Sequence, residues 1–441
     1  MLLRVMIICL VTLAGLLMPV ILPAGDRPVA ESLPELVREA LSKSEELKSN
    51  SAHVAMLESR ARLAGAWDDP MLMFKIQNGI VTDPLNFNRD SMTQKVIGVN
   101  QQLPFWGKRD LKREVAAREA EYYHWSHEDR RREIARSVKE YYFQLYAIDK
   151  SLYIVGRNLK LAEDFVTLAE TKYTVGQGVQ QDIFKAQLER SKLLEMQLSL
   201  EQQRRTLQAN LNGLLFRQPD QTIGAIADFE LPKIAQSREE LQQLADEHRP
   251  LLRSYLAQQK KGLAAGSLAR RENYPDFTVS LEYMQRDPAM GGSGEDMYSL
   301  GVTFNLPLQR VRREAMAAEA AAEAGMATAE LRNLRNSIAS GIGDLLGQLE
   351  QRRKLAELYQ SGIIPQAEKS LESAIIGYRV NKVDFLTLLD SRGALFNYER
   401  AYFDTIAEYR IRLAQLEALV GTELTDAGQD RQPAAGHHEV N

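Results

Sequence analysis

Residues 277–283 read Phe-Thr-Val-Ser-Leu-Glu-Tyr, and residues 298–304 read Tyr-Ser-Leu-Gly-Val-Thr-Phe. Apolar residues alternate with small or polar ones, which is the period of a β-strand with two different faces. This pattern predicts strands at about 276–284 and 297–306, and a weaker version predicts two more at about 71–81 and 95–103. Strands of about ten residues fit a tilted crossing of a bilayer. An ordinary antiparallel sheet with one solvated face has the same pattern.

The chain repeats itself at a fixed offset. Residues of the first half find a like residue 205 positions later, as in the pairs Tyr173 and Tyr378, Val175 and Val380, Leu211 and Leu416, and Pro70 and Pro275. A constant offset indicates duplication of a whole folding unit. The sequence therefore predicts a first repeat at 31–216, a linker at 217–237 and a second repeat at 238–421. Each repeat has an opening helix, two strands and a long helical hairpin.

Helical periodicity predicts single opening helices over about 33–66 and 241–271. After the strands, no proline occurs from Lys108 to Thr171, which predicts a helix of roughly 95 Å. The matching helix of the second repeat contains Pro365, which predicts a kink. Both long helices end at turns of like sequence, where Gly176 and Asn381 suit a positive φ just past a helix end.

Composition narrows the possible classes. Only 44% of the residues are hydrophobic, which is low for large packed cores. The 55 basic residues are balanced by 59 acidic ones, so a nucleic-acid partner is not expected. Residues 1–30 hold a basic residue, an apolar run and small residues, which predicts a secretory signal peptide. The single cysteine, Cys9, lies inside it. Residues 422–441 have the composition of a flexible tail.

Few residues point to catalysis or to a metal. His124 and His127 are three positions apart on a predicted helix, but an exposed helix face explains them as well. The segment from Gly291 to Gly294 lacks the ending of a phosphate loop and is interpreted as a turn between strands. No arrangement of nucleophile, base and oxyanion hole is evident, so we expect neither an enzyme nor a cofactor.

The order of these motifs resembles the outer membrane factor family, the TolC-like exit ducts of efflux and secretion systems. The resemblance covers about residues 33–421. It rests on Leu-Pro-x-x-Gly-Lys-Arg at 103–109, Tyr-x-Val-Gly at 173–176 with Asp182-Ile-Phe-Lys-Ala-Gln, Ile-Pro-Gln-Ala at 364–367, and Gly-Tyr-Arg-Val at 377–380 with Val-Asp-Phe-Leu at 383–386. The first and last of these look most like the branch serving heavy-metal efflux pumps of the RND class.

This resemblance implies a homotrimer in the outer membrane of a Gram-negative bacterium, extending into the periplasm. Four strands from each chain would form a twelve-stranded barrel in outer-membrane lipid, continued by a helical barrel with the 217–237 linker at its equator. Such a duct is passive and docks to a periplasmic adaptor protein and an inner-membrane RND pump. Alternatives are a drug-efflux or type I secretion duct of the same family and, in another class, a periplasmic coiled-coil adaptor or scaffold.

By the same resemblance, the hairpin tips at 173–182 and 378–387 form the periplasmic entrance, where an adaptor docks and the pore narrows. Charged residues there could set an electrostatic barrier or pair to hold helices together, and solvated turn charges or helix caps are the alternative interpretation. The arginine found at a gate position in some members corresponds here to Val383. The candidate site residues are Tyr173, Val175, Gly176, Asp182, Tyr378, Val380, Asn381, Lys382 and Asp384.

Overall fold

A computed structural model describes residues 32–424 of the chain. The predicted signal peptide with Cys9, and the predicted tail beyond residue 424, lie outside the described residues. The first half comprises α1 (Leu33–Lys43), α2 (Glu45–Ala64), β1 (Met71–Gln77), β2 (Gln94–Leu103), α3 (Lys108–Thr174) and α4 (Gln180–Leu215). The second half comprises α5 (Arg238–His248), α6 (Pro250–Arg271), β3 (Phe277–Gln285), β4 (Met297–Phe304), α7 (Arg310–Leu358), a π-helical turn (Tyr359–Ile363), α8 (Ile364–Arg379) and α9 (Phe385–Val420). The predicted class, mainly helical with a small β part, is confirmed.

The four strands form one antiparallel sheet in the order β1-β2-β3-β4. The register places Leu72 opposite Val99, Val99 opposite Leu281, and Leu281 opposite Leu300. Because side chains alternate along each strand, these four residues share one face of the sheet. The other apolar residues of the alternating pattern lie on that face too. The other face carries polar pairs such as Lys75 with Glu282, whose Nζ and Oε2 atoms lie 3.1 Å apart.

Strand β1 is shorter than the predicted 71–81, ending at Gln77. Asn78 follows with a φ of 57°, a left-handed conformation that turns the chain out of the extended region. Its side-chain amide then donates to the carbonyl of Met92, 3.2 Å away, across the connection to β2. The turn chemistry of one asparagine therefore ends the strand earlier than the alternation alone indicates.

Helix α3 has 67 residues and is therefore about 100 Å long. It begins just after Gly107, whose φ is 79°, and ends at Thr174, close to the predicted bounds. Along this length it packs against α2, α4, α6 and α9. Among residues 32–424, no helix is both long enough and apolar enough to cross a bilayer.

The predicted opening helices are each broken in two, so the prediction of single helices was wrong. Ser44 separates α1 from α2 and caps α2, because its side chain accepts a hydrogen bond from the Leu47 amide, 3.2 Å away. Arg249 separates α5 from α6, because it precedes Pro250 and the pre-proline restriction favours an extended ψ, here 114°. Arg249 is also held by the carbonyl of Ala418 and by Asp129, with Nε and Oδ1 3.1 Å apart.

The first helix of the second hairpin is interrupted near Pro365, where a kink was predicted. A π-helical turn, Tyr359–Ile363, separates α7 from α8, and Pro365 lies at the start of α8. Proline has no amide hydrogen, so the preceding turn loses a regular partner and the extra residue of a π turn accommodates its ring. The matching helix α3 of the first hairpin is continuous.

Candidate entrance at the tips of the helical hairpins

The two hairpin tips share one backbone design. At the first tip, Gly176 has a φ of 72° and the amide of Gln177 donates to the carbonyl of Lys172 over 2.8 Å. At the second, Asn381 has a φ of 60° and the amide of Lys382 donates to the carbonyl of Gly377, again over 2.8 Å. These bonds satisfy carbonyls that a helix end would otherwise leave without partners. The positive φ expected at both positions is confirmed.

Tyr378 contacts both hairpins. Its side chain is only 5% exposed and packs with residues of both repeats, including Phe165, Ala186 and Phe385. The phenol donates a hydrogen bond to Oδ2 of Asp182, 3.2 Å away. Burial raises the pKa of Tyr378, and the charge of Asp182 adds to the effect, so the phenol remains a hydrogen-bond donor. Two of the predicted site residues are thus brought together.

The equivalent tyrosine of the first tip is not buried. Tyr173, the equivalent of Tyr378, is 47% exposed. Val175 and Val380 are also exposed, at the same position of the two turns. Tyr378 packs with residues of both hairpins, whereas nearly half of the Tyr173 side chain is exposed.

Asp384 caps helix α9. Its side chain accepts a hydrogen bond from the amide of Thr387 over 2.8 Å. That bond holds the pKa of Asp384 below its usual value, and nearby Lys185 contributes in the same direction. Within residues 32–424 no carboxylate oxygen lies within 4 Å of the Lys382 ammonium, which is exposed. Lys382 and Asp384 are therefore close in sequence but do not form an ion pair.

Val383, which replaces the expected arginine, packs on Gly377. A β-carbon built at Gly377 would lie 2.6 Å from Cγ2 of Val383, which is closer than real β-carbons approach. The second tip therefore depends on a glycine to admit a branched apolar side chain. This contact takes the place of a charged group at that position.

Sequence reasoning missed Lys172, which is 5% exposed at the end of α3. Its ammonium donates to Oδ1 of Asn381 and to the carbonyl of Arg379, and it lies 4.8 Å from the ring centre of Tyr378. Comparison of the two repeats could have identified this residue, because the equivalent position in the second repeat is Gly377. A long charged side chain aligned with a glycine indicates that the two tips are packed differently.

Two ion pairs continue the contact between the hairpins away from the tips. Arg392 of α9 donates to Oε2 of Glu189 in α4 over 2.8 Å, and Arg157 of α3 pairs with Glu399 of α9. Arg392 is buried, and its Nε and Nη1 atoms have no hydrogen-bond partner among the described residues. Polar contacts therefore join the two repeats over several helical turns.

Comparison with known proteins gives concordant results. The sequence profile of the family described as outer membrane efflux protein matches residues 36–215 and 241–422. The cobalt-zinc-cadmium resistance protein CzcC of Cupriavidus metallidurans is 24% identical over 348 residues, which is 78% of this chain and 79% of that protein. The pyoverdine export outer membrane protein OpmQ of Pseudomonas putida is 24% identical over 417 residues, 88% of this chain and 84% of that protein.

Among solved structures, the channel CusC superposes with a TM-score of 0.75 at 15% identity, covering 90% of this chain and 93% of that chain. At this identity the likeness concerns the fold, which is shared over nearly the full length of both proteins. The family profile covers well over half of the sequence. The chain belongs to the outer membrane efflux protein family.

Proposed function

We propose that this outer-membrane protein is the passive, trimeric exit duct of a tripartite efflux system. The observation that supports it most directly is the sheet, which has one apolar and one polar face. Within residues 32–424, β1 and β4 each have a neighbouring strand on one side only. Because hydrocarbon does not tolerate open sheet edges, β4 of one copy must pair with β1 of the next. Three copies then supply twelve strands.

Aromatic residues lie where such a barrel would meet the two bilayer surfaces. At the end near the long helices, the largely exposed Trp106 lies against Phe277, with ring centres 5.9 Å apart. At the opposite end, Tyr283 and Tyr298 face each other on the apolar side of the sheet. Rings of aromatic residues at both interfaces are typical of outer-membrane barrels.

The helices extend the duct towards the inner membrane. A helix of about 100 Å carries the hairpin tips far from the sheet. The exposed Val175 and Val380 offer apolar contacts at the tips, where a periplasmic adaptor would dock. The inner-membrane RND pump would supply the energy. We also propose that 31–216 and 238–421 are the two repeats, joined at the equator by 217–237, in which Glu230 and Pro232 accept hydrogen bonds from α9.

Heavy-metal cations are the proposed cargo. The relative CzcC carries resistance to cobalt, zinc and cadmium in its name, and the match to it covers 78% of this chain. A second candidate is the export of an organic molecule, which the match to the pyoverdine exporter OpmQ favours. The polar face of the sheet does not distinguish them, because a wide duct needs little selectivity.

Deletion of the gene tests the cargo. The deletion strain is grown on a panel of divalent cations, copper, silver and drugs, with the gene restored on a plasmid as control. Heavy-metal efflux predicts sensitivity to the metals that the plasmid reverses. Sensitivity confined to drugs would reject the metal assignment. For the duct itself, a purified protein that is monomeric and water-soluble without detergent would overturn the proposal.

A further inference from the structure

Lys172 is a buried cation whose partners belong to the opposite hairpin. Its three contacts are the Asn381 side chain, the carbonyl of Arg379 and the face of the Tyr378 ring. None of the carboxylates at 32–424 lies within 4 Å of its ammonium. Burying an ammonium group is costly unless other groups replace its water. Here the replacement groups are present only while the second tip lies against the first.

The partners suit a cation for a physical reason. Arg379 is the last residue of α8, and its carbonyl belongs to the negative end of the helix dipole. Asn381 is the residue with positive φ just past that end. The ring of Tyr378 presents its negative face. Lys172 thus binds the end of α8 and at the same time contacts the tyrosine whose phenol reaches Asp182.

The duplication shows that this arrangement is particular to the first tip. Lys172 and Gly178 correspond to Gly377 and Val383. A β-carbon at Gly178 would lie 3.1 Å from Cβ of Lys172, just as one at Gly377 would lie against Val383. Each tip therefore places one large residue and one glycine at the same two positions, in opposite order. The second tip fills this space with an apolar side chain, and the first with a charged one that reaches across.

We infer that Lys172 is a positioning residue that latches the two hairpins in the closed entrance, in addition to the contact between Tyr378 and Asp182. This inference rests on the proposed function as a duct. When the hairpins separate, the ammonium exchanges its partners for water, so the lysine stabilises the closed arrangement and not the open one. The latch joins the two repeats of one chain.

Single-channel recording of the full-length protein in a planar bilayer tests the latch. Lys172→Met keeps an unbranched side chain but loses the donors and the charge, and we expect the ratio of open to closed time to rise about tenfold. Lys172→Arg keeps the charge and donors and should restore most of the closure. Lys369→Met is the matched control, because Lys369 lies exposed on α8 and pairs only with Glu372 within the described chain.

The double variant Lys172→Gly with Gly178→Val copies the second tip and separates a latch from a packing role. If Lys172 is a latch, this variant melts at the wild-type temperature but shows the same rise of about tenfold in the ratio of open to closed time as Lys172→Met. Wild-type gating in the double variant, or in Lys172→Met, would overturn the inference. If the wild-type protein forms no channel at all, it is the proposed function that fails.

Discussion

The phenol of Tyr378 and the carboxylate of Asp182 meet at 3.2 Å although they belong to different repeats. The equivalent positions are Tyr173 and Thr387, so the duplication kept a tyrosine in both repeats but a carboxylate in only one. The contact between Tyr378 and Asp182 therefore has no counterpart at the equivalent positions, Tyr173 and Thr387. If the chain assembles as a trimer, each copy contributes one such contact at the entrance.

Tyr378→Phe removes that contact while the ring keeps its packing. A single buried hydrogen bond contributes about 1 kcal/mol, so we expect a folded channel with a higher conductance or open fraction in a planar bilayer. Tyr173→Phe is the control, because Tyr173 is exposed at the equivalent position. An equal effect of the two substitutions would show that the phenol of Tyr378 has no special role.

Asp384 combines a helix cap with a charge, and two substitutions separate them. Asparagine also caps helices but lacks the charge, so Asp384→Asn should lower the melting temperature less than Asp384→Ala does. Both remove the charge, and if that charge contributes to the barrier at the entrance, both raise the conductance. Because the pKa of Asp384 is lowered, its charge and its contribution to stability persist at neutral pH and are lost as the pH falls through the lowered value.

Lys382→Ala completes the comparison, because this lysine is exposed and caps nothing with its side chain. We expect a raised conductance without a change in melting temperature. Unchanged conductance in both Lys382→Ala and Asp384→Asn would remove these residues from the gate and leave Asp384 as a cap alone.

Local chemistry explains which features the sequence reveals. The length of α3 is predictable because no proline interrupts it and Gly107 precedes its first turn. The turns at Gly176 and Asn381 are predictable because few residue types accept a positive φ. The break at Ser44 is not predictable from the sequence, because serine occurs both inside helices and as a helix cap. Only its non-helical backbone, which the structure shows, identifies it as a cap.

Long-range contacts explain what the sequence does not reveal. Lys172 is a hydrophilic residue near a helix end, and nothing around it in the sequence indicates burial. Its environment is created by Tyr378 and Asn381, about 200 positions later. Family resemblance indicates Asp182 as a candidate and Tyr378 as a hydrogen-bonding partner of the charged tip residues, but the local sequence does not specify that these two residues meet. Contacts between repeats depend on how the hairpins pack, which local patterns do not encode.

The two faces of the sheet provide a test with a control one residue away. Leu300 lies on the apolar face and Ser299 on the polar face, opposite Glu282. An arginine on the lipid face near the bilayer centre costs about 2–4 kcal/mol, so Leu300→Arg should reduce assembly in the outer membrane. Ser299→Arg should be tolerated, since it faces water and a carboxylate. The measurement is the yield of oligomer in isolated outer membranes. Similar yields for the two variants would contradict the assignment of the faces.

The pair of Arg392 and Glu189 tests whether buried charges hold the hairpins together. Glu189→Ala leaves the buried guanidinium without its carboxylate, which should lower the free energy of unfolding by about 3 kcal/mol. The other repeat has Gln187 and Ala394 at these positions, so Glu189→Ala combined with Arg392→Gln copies a neutral version that this fold already contains. Removing both charges should recover most of the loss, because the cost comes from the unpaired cation and not from the missing contact. Denaturant unfolding in detergent measures both variants, and a double variant as unstable as the single one would show that packing, not charge, determines the effect.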